Sequence, residues 1–195
     1  MAVPSFLSGS WAIFVSIAYP EMSAYYARMF AVPAIAFAHT AGGGVASLIG
    51  PFQFHPQLRR RRLQAHRWLG HVYLVAVGLS GLGGIYLSPR SLAANTFGIA
   101  FILLALAWLL TGWQAYAAIR RGEVTAHRRW MIRNFALTYA AVTLRIEMPL
   151  LMLAGMNSIL ALNVVGWTCW IPNLLAVEWW MKRKEGAAVR AAPAF

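Results

Sequence analysis

Acidic residues and cysteine are the scarcest chemical groups in this sequence. It contains no aspartate and five acidic residues among 195, and charged residues of both signs make up 11% of the chain. About a quarter of a soluble globular domain is charged, so this composition argues against a soluble fold. The lone cysteine, Cys169, excludes an intrachain disulfide and a Cys-x-x-Cys metal motif. No Gly-x-Ser-x-Gly nucleophile motif occurs, and we assign no catalytic residue.

Long apolar stretches are abundant instead, and hydrophobic residues make up 60% of the chain. Four stretches without Lys, Arg, Asp or Glu exceed the roughly 20 residues needed to cross a bilayer: 29–58, 68–89, 91–119 and 148–177. We predict an all-α integral membrane helical bundle of about five transmembrane helices with an antiparallel up-down core. The five predicted spans are 30–52, 67–87, 96–119, 130–153 and 158–181.

The spans divide the chain into three parts. Residues 1–29 are predicted to form an outer-surface or partly inserted N-terminal segment, 30–181 the transmembrane helical bundle, and 182–195 a basic cytoplasmic tail. Residues 6–19 are apolar but short, and Pro20 and Glu21 interrupt them, so a surface helix and a sixth span both stay open. No separate soluble domain is predicted.

The basic residues are distributed unevenly between the two ends of the predicted helices. Fourteen of the 17 Lys and Arg residues fall in the two large loops and after the last span, at 59–62, 67, 120, 121, 128, 129, 133, 182–184 and 190. By the positive-inside rule, these segments are cytoplasmic. We expect a multi-pass protein of a bacterial inner membrane whose C-terminus is cytoplasmic. The lipid bilayer is its expected partner, and a nucleic acid is not, because the basic runs lack interleaved aromatic residues.

A repeated Ala-His-Arg places His66 and His127 at matched depth, each at the start of a span on the cytoplasmic side. Two imidazoles so placed on neighbouring helices can ligate one haem b from its opposite faces. Gly70 shares a helical stripe with His66 and leaves room beside it. His71 lies five residues, about 7.5 Å, deeper than His66 and is an alternative ligand. The alternative is that these histidines only mark helix starts near lipid headgroups.

His39 lies about ten residues inside the first predicted span, where a polar side chain normally faces the protein interior. Gly42 and Gly43 follow on its face and allow close approach of another helix or of a flat cofactor. His39 is therefore a candidate for a second site or for contact with a quinone. The alternative is tight helix packing, with His39 hydrogen-bonded to a neighbour.

Three arginines are candidate contacts for haem propionates, namely Arg67, Arg128 and Arg145. Arg145 lies near the outer end of the fourth span and is also a candidate contact for a quinone carbonyl, or a charge that reaches the interface. Glu178 lies near the cytoplasmic end of the last span and is expected to pair with the arginine-rich loops. The rival chemistry is a metal site without haem, built from His39, His66 and His127.

Several motifs together resemble a bacterial family of predicted multi-span membrane proteins whose domain has no assigned function. They are Gly-Pro-Phe-Gln-Phe at 50–54, His-Arg-Trp-Leu-Gly-His-Val-Tyr at 66–73, His-Arg-Arg-Trp-Met at 127–131, Leu-Arg at 144–145 and Glu178. The resemblance covers 31–180 and implies the architecture and the importance of these positions. More loosely, histidine pairs on a glycine-rich bundle are similar to the di-haem cytochromes b, at the level of the fold.

The leading functional prediction is a membrane-bound b-type haem protein that transfers electrons, with a quinone-like or soluble redox partner. The first alternative is a non-enzymatic accessory or assembly subunit of a larger membrane complex, in which the histidines are structural. A small-molecule, metal or proton carrier is the last alternative, because the sequence shows only a weak internal echo rather than an inverted repeat.

Overall fold

The computed structural model describes residues 27, 31–88 and 96–190, with side chains as far as 187. The predicted behaviour of 6–19 lies outside these residues. The described chain forms helices joined by short turns and contains no strand: α1 (Pro33–Gln53), α2 (Pro56–Arg61), α3 (Leu63–Leu87), α4 (Phe97–Arg120), α5 (Val124–Thr138), α6 (Ala140–Leu153), α7 (Ser158–Thr168) and α8 (Ile171–Arg190).

Five segments are long and apolar enough to cross a membrane, with α5–α6 and α7–α8 each counting as one. Their succession through short turns gives an antiparallel up-down bundle. The prediction of an all-α membrane bundle of about five spans is confirmed. One end carries α2, the α4–α5 turn and the end of α8, together with fourteen basic residues. We call it the arginine-rich end, and the other the opposite end.

Two helices begin earlier than the apolar pattern predicts. α3 begins at Leu63 and α5 at Val124, whereas the predicted spans begin at 67 and 130. Arginine and glutamine are good helix formers, so the helices continue beyond their apolar stretch into polar first turns. As a result, His66 and His127 lie within the first helical turns rather than just before them.

The last span is interrupted between α7 and α8 near Pro172. Proline has no N–H, and its ring clashes with the carbonyl four residues earlier, which here is that of Thr168, the last residue of α7. The helix resumes at Ile171 and continues to the arginine-rich end.

The bundle is held by small residues inside and presents large apolar residues outside. α1 packs on α3, and α4 packs on both α3 and α5. A Cβ placed at Gly42 would lie 2.8 Å from the Ala76 carbonyl oxygen, so α1 and α3 approach backbone to backbone. Residues such as Leu48 and Leu153 are exposed, as expected of side chains that contact lipid.

Candidate functional site

His66 and His127 lie together at the arginine-rich end, on α3 and α5. Both side chains are half-buried, and His127 contributes to the electrostatic environment of His66. The repeated Ala-His-Arg motif therefore corresponds to two half-buried imidazoles at the same end of the bundle. Whether they ligate a cofactor stays a prediction.

The ring of His127 is fixed by a hydrogen bond to a neighbouring helix. Its Nδ1 lies 2.8 Å from the carbonyl oxygen of Ala115, a buried residue of α4. A carbonyl can only accept, so Nδ1 carries the proton and Nε2 keeps its free lone pair. Histidines that bind metals are commonly oriented in this way through the other ring nitrogen.

The ring of His66 has no such support, since its Nδ1 is buried without a hydrogen-bond partner. Gly70, one turn along α3, is open on this side. A Cβ added at Gly70 would meet only the Oε1 atom of Gln53, at 3.6 Å. The Nδ1 atom of His66 is therefore left for a hydrogen-bond partner, beside a glycine that leaves space.

A buried polar network joins three helices next to this histidine pair. Tyr73 is fully buried, and its hydroxyl donates to Asn134 Oδ1 over 2.7 Å and lies 2.8 Å from Thr138 Oγ1. Trp108 Nε1 donates to Thr138 Oγ1 over 2.9 Å, and Asn134 Nδ2 donates to Thr111 Oγ1 over 2.9 Å. The network fixes α3, α4 and α5 relative to one another.

Sequence reasoning missed this network. The available signal was the set of uncharged polar residues within otherwise apolar spans, above all Asn134, because such residues must find partners inside the bundle. The spacing does not reveal which partners they find, since the hydrogen bonds cross between helices.

His39 lies far from the other two histidines. Its Nδ1 donates to the Ser80 carbonyl over 2.8 Å, and the Ser80 hydroxyl donates to the His39 carbonyl over 2.7 Å. Ser80 is fourteen residues beyond His66 on α3, about 21 Å along the helix. His39 is also the seventh of the 21 residues of α1, which places it in the half of that helix nearer the opposite end.

The three histidines therefore do not gather around one ion. In the residues that the structure describes, no three His, Cys, Asp or Glu side chains are placed to hold a metal. His71 is exposed, and its Nδ1 donates to the Arg67 carbonyl one turn earlier on α3 over 2.8 Å. The structure thus brings together only His66 and His127 among the predicted ligands.

The predicted glycines take two different places. Gly42 and Gly43 face α3, and a Cβ at Gly43 would lie 3.3 Å from the Ser80 hydroxyl oxygen. The close approach that they allow is thus to a helix. Gly70 lies at the histidine pair, as the shared stripe with His66 predicts.

The predicted arginines are divided between the two ends. Arg67 and Arg128 are exposed at the arginine-rich end, and the charge of Arg67 acts on His66. Arg145 is an exposed residue of α6 that donates to the Ala141 carbonyl over 2.6 Å, and its charge acts on His39. Arg145 is therefore remote from the His66–His127 pair.

Glutamates near the arginine-rich end pair with arginines. Arg133 donates to Glu178 through Nη2 over 2.9 Å, which confirms the predicted ion pair of Glu178. In the α4–α5 turn, Arg121 Nε donates to Glu123 over 2.8 Å. This hydrogen bond lowers the pKa of the Glu123 carboxyl below its ordinary value, so the turn keeps its ion pair at neutral pH.

Comparison with known proteins assigns the chain to a family. No curated protein matches the sequence, and no solved structure matches it. The profile of one family, described as predicted membrane protein (DUF2306), matches residues 36–181. This match covers most of the chain and includes the greater part of every span described above, so the chain belongs to the predicted membrane protein family DUF2306.

Proposed function

We propose that this protein is a b-type haem protein of a bacterial inner membrane that transfers single electrons between a quinone or another redox partner and an acceptor. His66 and His127 are the axial ligands in this proposal. The arginine-rich end that carries them, and the C-terminus, lie in the cytoplasm by the positive-inside rule. Haem held between two imidazoles supplies reversible one-electron transfer.

One observation carries the proposal, namely the hydrogen bond between His127 Nδ1 and the buried Ala115 carbonyl. It holds the ring of His127 against α4 in the tautomer whose Nε2 is free to ligate iron. A histidine that only marks a helix start near headgroups needs no fixed tautomer and would be solvated by water.

The surroundings of the pair fit a planar cofactor. α3 and α5 are not among the closely packed pairs of helices, and the long side chain of Tyr73 bridges them through hydrogen bonds to α5. Gly70 adds no side chain on the face that carries His66. Helices spaced in this way, with small residues at the ligand level, are what haem sites within bundles require.

The remaining predicted contacts keep their place in the proposal. Arg67 and Arg128 lie at the same end as the pair and are the proposed partners of the haem propionates. His39 and Arg145, which lie toward the opposite end, are the proposed contacts of a quinone carbonyl.

The test is a reduced-minus-oxidised absorption spectrum of the detergent-purified protein after expression with ample haem. We expect the α band of a b-type haem in the wild type and its loss in His66→Ala and in His127→Ala. His55→Ala is the matched control, since His55 is an exposed histidine at the same end. A flat wild-type spectrum contradicts the proposal.

A second candidate function, a non-enzymatic accessory or assembly subunit, is favoured by one observation. His39 and His127 each donate to a backbone carbonyl of another helix, which is a structural use of histidine. In that case His127→Ala lowers stability, and neither the wild type nor the variant shows a haem spectrum.

A further inference from the structure

Three buried nitrogen atoms without hydrogen-bond partners lie at the arginine-rich end. They are Gln53 Nε2 at the end of α1, Arg59 Nε in α2 and His66 Nδ1 in the first turns of α3. Within the described parts of the chain, they are the buried side-chain polar atoms that lack a partner. Unpaired buried groups are costly and rare, so three of them on consecutive helices indicate a partner from outside the chain.

The three residues approach the same stretch of α3. Gln53 is 6% exposed, and its Oε1 lies 3.6 Å from the position that a Cβ of Gly70 would take. Gly70 is one turn from His66 on the same helical face. Arg59 lies on α2, which packs against α3. The Gln53 amide, Arg59 and His66 thus lie beside the first turns of α3.

The chemistry of these atoms selects an acceptor as the ligand. An amide nitrogen and the Nε of arginine can only donate, and the Nδ1 of an imidazole donates when Nε2 is engaged as an acceptor or ligand. Charge-assisted hydrogen bonds to an anionic oxygen are the strongest that such donors form. Arg67, the residue after His66, adds a further positive charge beside the site.

No carboxylate of the described chain fills this role. All four described glutamates are engaged elsewhere: Glu123 with Arg121, Glu147 with Thr168, Glu178 with Arg133 and Glu185 with Arg129. The donors are therefore left for an anion that these four glutamates do not supply.

We propose that Gln53, Arg59 and His66 bind an anionic oxygen group, either a carboxylate or a phosphate oxygen. Two sources carry this chemistry at the end of a membrane bundle. One is a propionate of the haem. This source rests on the proposed function, and its carboxylate would bind Arg59 and Gln53. The other is the headgroup phosphate of an anionic phospholipid, which is independent of haem.

The experiment measures binding to the full-length purified protein with two pairs of probes. Haem is compared with haem dimethyl ester, which lacks both carboxylates. Dihexanoylphosphatidylglycerol is compared with dihexanoylglycerol, which lacks the phosphate. The variants are Gln53→Leu and Arg59→Gln, and the matched control is Arg61→Gln, since Arg61 belongs to α2 but is exposed.

We expect both variants to lose about tenfold in affinity for one anionic probe, the effect of one charge-assisted hydrogen bond, while Arg61→Gln binds as the wild type does. If the source is haem, haem loses affinity and its ester does not. If the source is lipid, phosphatidylglycerol loses affinity and dihexanoylglycerol does not. This second result supports the site even when no haem binds and the proposed function fails.

Unchanged affinity of both variants for haem and for phosphatidylglycerol would overturn the site. The melting temperature of each variant shows whether the variant is folded. Gln53→Leu removes an unpaired buried amide, so we expect its melting temperature without added anion to equal or exceed that of the wild type. If Gln53→Leu does not fold, Arg59→Gln in α2 carries the test alone.

Discussion

Tyr73 is a fully buried residue whose hydroxyl takes part in the polar network inside the bundle. Its hydroxyl reaches two side chains of α5 and thereby joins α3 to a helix that does not pack closely against it. In a bilayer, a buried hydroxyl has no water with which to exchange its hydrogen bonds. The position of α5, and hence of His127, therefore depends in part on Tyr73.

Replacing Tyr73 by phenylalanine removes this hydroxyl and leaves the Asn134 side-chain oxygen without its donor. We expect Tyr73→Phe to lower the free energy of unfolding by about 1–2 kcal/mol. The measurement is reversible unfolding in mixed micelles. Tyr139→Phe is the control, since Tyr139 is 49% exposed, and an equal loss in both variants would contradict a specific role of the network.

The sequence predicts some of these residues and not others for a physical reason. His66 and His127 stand out because a polar ring repeated at the start of two spans is visible in one dimension. Gln53 and Arg59 do not, because their lack of partners becomes apparent only when the surrounding helices are placed. Asn134 is recognisable as a buried polar residue, but its partners are not.

Gly42 lies in the contact between α1 and α3, whereas Gly78 of α3 lies outside any close contact. A Cβ at Gly42 would lie 2.8 Å from the Ala76 carbonyl oxygen and 3.0 Å from the Ser80 Cβ. Neither atom belongs to a flexible side-chain end. A Cβ at Gly78 of α3 would meet nothing within 4 Å.

The same substitution at these two glycines should therefore have opposite effects. We expect Gly42→Ala to lower the free energy of unfolding by about 1–3 kcal/mol, because the helices must separate. Gly78→Ala should leave it unchanged or raise it by up to about 1 kcal/mol, since alanine favours the helix. Micelle unfolding of both variants is the measurement, and equal destabilisation would refute the packing described here.

For each helix, hydropathy predicts the part within the membrane well and the polar end poorly. The first four spans end within a few residues of the prediction, whereas α8 continues nine residues past the predicted end at 181. In addition, α3 and α5 begin four and six residues before the predicted spans. A hydropathy scale identifies apolar residues, so it does not detect polar helical turns that lie outside the lipid. Those turns carry His66 and His127, so the error falls at the candidate site.

The whole molecule is polarised by its basic residues, most of which lie at one end. The described glutamates near that end are paired with arginines, and the excess positive charge remains. This asymmetry is the basis for placing the arginine-rich end in the cytoplasm.

Cysteine labelling tests this orientation. Cys169 is fully buried, so the wild type should react little with a membrane-impermeant thiol reagent. In spheroplasts, we expect Ala154→Cys, at the exposed turn of the opposite end, to be labelled. Arg61→Cys should be labelled only after the membrane is permeabilised, and the reverse pattern would contradict the orientation.

Architecture was predictable at this scale, because crossing a bilayer fixes helix length and apolar composition. The function was not predictable in the same way, because a helical bundle of this kind can bind a cofactor, transport a molecule or join the subunits of a complex. The difference between these functions rests on a few side-chain atoms such as Nε2 of His127 and Nδ1 of His66.

The most direct test of the central claim is the haem content of the purified wild-type protein, measured as the pyridine haemochrome per chain. The structure brings together one pair of histidines in its described part, so we predict one haem b per chain. A preparation without haem, obtained after expression with ample haem, would contradict the account.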